Sequence, residues 1–251
     1  MGSGARRCPV GVACWLAVID QMDVDHLLRY TATTNGRDKG IRAVQYWARF
    51  YAWYLVRSGG AAGDVATWAH VKTSLGQSRK LFRVLKNIEH FKAAMRAYDS
   101  DDGKHPVVKA ATVGRQLGYG AYLTLDSLTY LDALGLHRLQ KQKDVQRMAY
   151  QFWALGIVCS MVNGGFQLYV QGGAAAAASS SAKQKAPEDT IAEKVSARRR
   201  NALAYQLLQD ALDLTIPVSA LQYLQLDDGL VGLAGLASSC MAAYTQWGLT
   251  V

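Results

Sequence analysis

Acidic side chains are in short supply in this sequence. Its 251 residues carry 28 lysines and arginines against 19 aspartates and glutamates, a formal net charge of +9. That balance excludes a cationic partner as the natural one and points to an acidic surface, lipid or nucleic acid. Proline is scarcer still, confined to Pro9, Pro106, Pro187 and Pro217, so long stretches lack a helix breaker. Cys8, Cys14, Cys159 and Cys240 stand far apart or within apolar runs. They form no Cys-x-x-Cys pair and no disulfide framework, which fits a reducing compartment. The histidines, His26, His70, His90, His105 and His137, are scattered and make neither His-Glu-x-x-His nor a Cys/His zinc cluster. No P-loop, dinucleotide fingerprint or nucleophile elbow is present. Asp99, Asp101 and Asp102 beside Gly103 lack the spacing of a calcium loop. No catalytic constellation, cofactor site or metal site is expected, and the chain reads as a non-enzyme.

Half of the residues are hydrophobic, yet the mean hydropathy is −0.02. This excludes a many-span transporter and leaves room for one or two embedded segments. No convincing alternating strand pattern is found. The expected class is all-α: amphipathic basic helices plus one or two hydrophobic membrane-embedded helices.

What is present is concentrated first in Gly36 to Leu55, where Arg37, Lys39, Arg42 and Arg49 interleave with aromatics. At about 100° per residue Ile41, Val44, Trp47, Tyr51 and Tyr54 gather on one side, with Phe50 close by, while Arg42 and Arg49 share another. This composition suits a helix lying in the headgroup region, its rings as anchors and its cations meeting anionic lipid. The same aromatics would equally serve as the core face of an ordinary bundle helix. A second such run spans Leu75 to Met95. Leu81, Val84, Leu85, Ile88, Phe91 and Met95 follow helical spacing against Arg79, Lys80, Arg83, Lys86, Lys92 and Arg96, with Glu89 the one acid. A soluble surface helix normally mixes both signs, so the repeated cationic design favours an acidic partner.

The chain divides by composition. Residues 1–21 read as a poorly structured extension. Residues 22–171 form the amphipathic helical region. Residues 172–187 (GGAAAAASSSAKQKAP) are low-complexity and read as a flexible linker. Residues 188–251 are expected to form a C-terminal helical region with a membrane-embedded tail. Two segments carry no charged residue, Met148 to Ala182 and Gly229 to Val251. The first contains about 20 residues able to cross a bilayer, although Asn163 and Gln167 weaken it. Basic flanks on both sides give no orientation. In the second, Gly229, Gly232, Gly235 and Ser239 recur at helical spacing, which suits close helix packing in lipid. Pro217 is expected to break or kink the chain before it.

Laid out in order, these elements resemble the peroxin eleven family, the peroxisomal membrane elongation and division proteins. The resemblance covers about Met22 to Val251. It rests on Gly36-Arg37-Asp38-Lys39 with Gln45-Tyr46 and Arg49-Phe50, and on Ser78 to Lys86 as the second basic helix. It continues in Asp126 to Leu136 before Phe152-Trp153, in Asp210 to Pro217 and in the glycine-rich tail to Trp247. Residues 1–21 and the Ala/Ser linker depart from the pattern. The resemblance implies a protein of the peroxisomal (or glycosomal) membrane that inserts amphipathic helices into one leaflet, self-associates and elongates the organelle. Its implied partners are anionic lipid, further copies of itself and dynamin-type fission machinery, with no nucleic acid. Arg37, Lys39, Arg42, Arg49, Arg79, Lys80, Arg83 and Lys86 are then the membrane-attracting cations. Two other readings use the same residues. One is an oligomeric pore with a polar path through Asp126, Asn163 and Gln167. The other is a soluble nucleic-acid-binding helical protein.

Overall fold

The computed structural model describes residues 24–100, 103, 105–180 and 187–250, with side chains described outside 173–193. The expected extension, residues 1–21, and residues 181–186 of the expected linker lie outside the described residues. Eight α-helices account for the rest: α1 (Val24–Ala32), α2 (Thr34–Ser58), α3 (Ala62–Arg83), α4 (Asn87–Asp99), α5 (Pro106–Ala133), α6 (Gln142–Ser180), α7 (Pro187–Ala220) and α8 (Asp228–Gly248). No strand occurs among the described residues.

Local chemistry sets most of the boundaries. The Thr33 hydroxyl accepts from the Gly36 amide at 2.9 Å and starts α2, as an N-cap side chain should. Gly59, at φ +74°, ends it in the left-handed conformation that glycine adopts cheaply. Pro106 opens α5 from the first turn. The Asp227 carboxylate caps α8 by accepting from the Gly229 amide at 3.2 Å.

Three boundaries differ from the sequence expectation. The second basic run is two helices, broken at Val84 to Lys86, where Leu85 sits at φ +65°; no glycine or proline marks that turn. The backbone of residues 172–180 continues α6 as helix, since alanine is the best helix former. Pro217 lies inside α7, which runs through it to Ala220.

The helices close into a ring. α2 packs on α3, α3 meets α5, α5 packs on α6, α6 on α7, α7 on α8, and α8 returns to α2. α4 lies outside the ring against α5, and α1 against α2. Glycines allow the closest approaches. A Cβ on Gly232 of α8 would stand 2.8 Å from the Phe50 nitrogen of α2. One on Gly118 of α5 would stand 2.8 Å from the Gly156 backbone of α6.

The side chains are distributed inside out. The largest fully buried ones are Ile157, Val231, Thr129, Pro217, Ser238 and Ser239, and the two buried apolar clusters are small. Leucine, valine, tryptophan and tyrosine side chains line the outside of α2, α4, α5, α6 and α8. Water penalises exposed apolar surface at about 25 cal/mol per Å², whereas lipid does not. Among the described residues one helix is long and apolar enough to cross a membrane, Gln142–Gly172 of α6, and 28% of its apolar window is buried by the protein. Met148, Phe152, Leu155 and Val162 form an outward stripe along it.

Candidate functional site

The interior of the ring is a cavity of about 700 Å³, open to the outside and lined by nine lysines and arginines but only four aspartates. α2 supplies Asp38, Lys39, Arg42 and Arg49 to it, and α3 supplies Arg79, Lys80 and Arg83. Their spacing of three, four and seven puts each set along one helix face.

Ion pairs cross this interior from helix to helix. Arg42 of α2 is buried against Asp213 of α7 and also donates to the Ser238 hydroxyl of α8 at 3.2 Å. Arg79 of α3 meets Asp38 of α2 at 2.9 Å and donates to the Gln45 carbonyl at 2.8 Å. Asp126 of α5 is held by Lys80 at 3.1 Å and by Arg83 at 3.0 Å. Arg83 also donates to the Tyr122 hydroxyl at 2.7 Å, and Lys80 to Thr129 at 2.8 Å and to Gln146 of α6 at 3.1 Å. At the rim Arg49 reaches Asp228 of α8 at 2.5 Å, and Arg57 reaches Asp227 at 2.9 Å. Removing charges from water costs several kcal/mol per ion, and close pairs with further hydrogen bonds offset it. Here those bonds hold the seam between α3 and α5.

Burial and the Arg79 guanidinium act on the Asp38 carboxyl in opposite directions; the guanidinium prevails, so its pKa lies below the ordinary value. Asp210 of α7 moves the other way, raised by burial. Its Oδ1 accepts from Gln206 at 2.8 Å, and its Oδ2 is buried with no hydrogen-bond partner among the described residues. Lys39 is lowered to about 8, first by burial and then by Arg42, with Asp38 opposing.

The sequence-derived site residues therefore separate into two groups. Lys39, Arg42, Arg49, Arg79, Lys80, Arg83 and Lys86 line the interior. Arg37 stays outside and donates to the Ala32 carbonyl at 3.1 Å. Of the apolar set, Val44, Trp47 and Tyr54 are exposed, and Ile41, Phe50 and Tyr51 half-buried. Trp47 stacks on Tyr51 with ring centres 6.0 Å apart, and Tyr51 meets the Trp68 edge of α3 at 5.0 Å. Along α4, Ile88, Phe91, Met95 and Tyr98 form a second exposed ladder, flanked by exposed Lys92 and Arg96. Gly229, Gly232 and Gly235 face Trp53, Phe50 and Tyr46 of α2, and Ser239 is buried, donating to the Gly235 carbonyl at 2.5 Å. Asn163 donates to Thr112 at 3.3 Å and accepts from Gln167 at 2.8 Å.

Asp126 was singled out from sequence only for a polar path, and Asp38 and the Asp210 to Pro217 stretch only for the resemblance; none was read as the partner of a cation. Asp210 and Asp213 are three apart in a stretch otherwise rich in leucine and alanine. An acid pair on one helix face inside an apolar run was the signal available. Arg115, in the mostly apolar α5, is another interior residue that the sequence analysis did not single out. Among the described residues no group of histidine, cysteine and acid side chains is arranged to hold a metal ion.

Comparison with known proteins places these features in a lineage. The chain is 24% identical over 226 residues to Peroxisomal biogenesis factor 11 of Schizosaccharomyces pombe, covering 88% of this chain and 94% of that one. It is 25% identical over 244 residues to Peroxisomal membrane protein PMP30B of Candida boidinii, covering 90% and 95%. Peroxisomal membrane protein 11A of Homo sapiens is 22% identical over 240 residues, covering 88% and 96%. No solved structure matches. The family model for Peroxisomal biogenesis factor 11 (PEX11) matches residues 24–247, and the chain belongs to that family.

Proposed function

We propose that this protein resides in the peroxisomal membrane and drives proliferation of the organelle by expanding one leaflet. It is anchored through α6, while the apolar ladders of α2 and α4 lie in the leaflet as wedges. The observation that carries this reading is the outward ladder Ile88, Phe91, Met95 and Tyr98 on a short helix outside the ring, bordered by Lys92 and Arg96. Such a helix seats its apolar face about 5–10 Å into the headgroup boundary, and its cations favour anionic lipid. Val44, Trp47 and Tyr54 extend the lipid-facing surface along α2. The names of the relatives support the organelle and the membrane. Self-association would concentrate the wedges, and an elongated membrane is the substrate on which dynamin-type fission machinery acts.

The test is elongation. Ile88→Asp with Met95→Asp leaves the interior ion pairs untouched. In cells lacking the endogenous protein, the double variant reaches peroxisomes through α6 but fails to elongate them, and the purified protein fails to tubulate anionic liposomes. Elongation equal to the parent protein's would overturn the wedge role of α4.

A further inference from the structure

The ring's interior holds more positive charge than its own acids neutralise. Nine lysines and arginines face four aspartates across a cavity of about 700 Å³, within the size range of small-molecule sites. Asp213, Asp38 and Asp126 are taken up by Arg42, Arg79, Lys80 and Arg83, and Arg49 and Lys72 turn to Asp228 at the rim. Lys39 of α2 and Arg115 of α5 have no ion-pair partner among the described residues. The Arg115 Nε is buried without a hydrogen-bond acceptor. An unpartnered guanidinium N–H inside a cavity is expensive unless an acceptor occupies the space before it. The charge excess also raises the local concentration of anions through the open mouth.

We infer that this cavity is a binding site for a polyanion carrying two or three phosphate groups, with Lys39 and Arg115 as its principal ligands. A phosphate carries about −1.5 to −2 charges near neutral pH, so two or three of them match the surplus of four that remains once Asp228 at the rim is counted. Arginine suits phosphate by its forked donors and lysine as a point charge. A free solute and the headgroup of a polyphosphorylated lipid share this chemistry, and the open mouth admits either. The lining is polar and charged, so a fatty ligand does not fit. The site is separate from the outer ladders and stands whether or not those ladders bend membranes.

The experiment uses the full chain in phosphatidylcholine nanodiscs and titrates ATP by calorimetry. The expected result is one ATP per chain, weakened tenfold or more by Lys39→Gln and by Arg115→Gln, and unchanged by Arg37→Gln on the exterior. Repeating the titration in nanodiscs containing phosphatidylinositol bisphosphate distinguishes the sources. Loss of ATP binding there, with the same variant pattern for lipid capture, assigns the site to the headgroup; retained binding assigns it to the free solute. A measurement on the parent protein needs no variant: ATP should protect Lys39, but not exposed Lys92, from amine acylation read by mass spectrometry. Absence of binding by both ligands, unchanged affinity in both glutamine variants, or acylation of Lys39 unaffected by saturating ATP would overturn the proposal.

Discussion

Arg42 and Asp213 lie 171 residues apart in the chain and meet as a buried ion pair that ties α2 to α7. With Asp38–Arg79 and the Lys80–Asp126–Arg83 triad it converts a cationic helix face, ordinarily a solvent face, into the lining of a bundle. Breaking a buried pair from one side strands the other charge, at about 3–5 kcal/mol. Arg42→Met and Asp213→Leu should therefore each lower stability by about that amount, and the double variant should recover much of the loss. Thermal unfolding of the purified protein in micelles, run as a double-mutant cycle, checks this. Additive losses would show that the pair is not coupled.

The Asp38–Arg79 pair makes stability depend on acid. The folded pKa of Asp38 is below its ordinary 3.8, so ionisation favours the folded state. That contribution is complete above the ordinary carboxylate range and is lost as pH falls through the folded value. Asp210 is raised by burial and acts in a higher window: its protonation favours the folded state as pH falls toward the ordinary range. Melting temperature against pH for Asp38→Asn should lie below the parent curve at neutral pH and converge with it in acid. Asp210→Asn should lie above the parent at neutral pH. Parallel curves throughout would refute the assignment.

The seam between α2 and α8 depends on glycine. At Gly232 an added Cβ meets Phe50 backbone at 2.8–2.9 Å, and backbone cannot swing aside as a flexible side chain can. Gly232→Val should cost about 1–3 kcal/mol through overpacking. At Gly248, where a Cβ meets nothing within 4 Å, the change to alanine should be nearly silent. Comparing the two variants by chemical unfolding in micelles separates crowding from a general intolerance of glycine replacement.

Leu85 and Gln222 occupy left-handed backbone at φ +65° and +59°. That conformation costs a side-chain-bearing residue roughly 1 kcal/mol. Gln222→Gly, in the exposed turn before α8, should raise the free energy of unfolding by up to about 1 kcal/mol. A fall would show that the glutamine side chain itself stabilises the turn. Leu85→Gly relieves the same strain but removes an apolar side chain from the outer surface, so its stability and its liposome binding should move in opposite directions.

Much of the fold was legible in the sequence because helix signals are local. The 3–4 spacing of apolar residues, as from Ile41 to Tyr54, is read within a few positions; the cap at Thr33 and the helix start at Pro106 are equally local but were read as turn and loop. The turn at Leu85 was not legible, since a leucine carries no left-handed signature. Helix through Gly172–Ser180 was also missed, because an alanine-rich run reads alike as linker and as helix.

The sequence alone determined the class, the family, and the separation of each basic helix into an apolar and a cationic side. Those follow from side-chain type and a 3.6-residue period, which need no knowledge of neighbours. Only the tertiary structure decided which side faces inward. Asp213, Asp38 and Asp126 lie on different helices from the cations they meet. Closing the ring around those pairs turned Arg42, Arg79 and Arg83 to the interior and left Val44, Trp47 and Ile88 outside. A helix's period specifies its two faces; the partner that reaches each face is a property of chain segments far away in sequence.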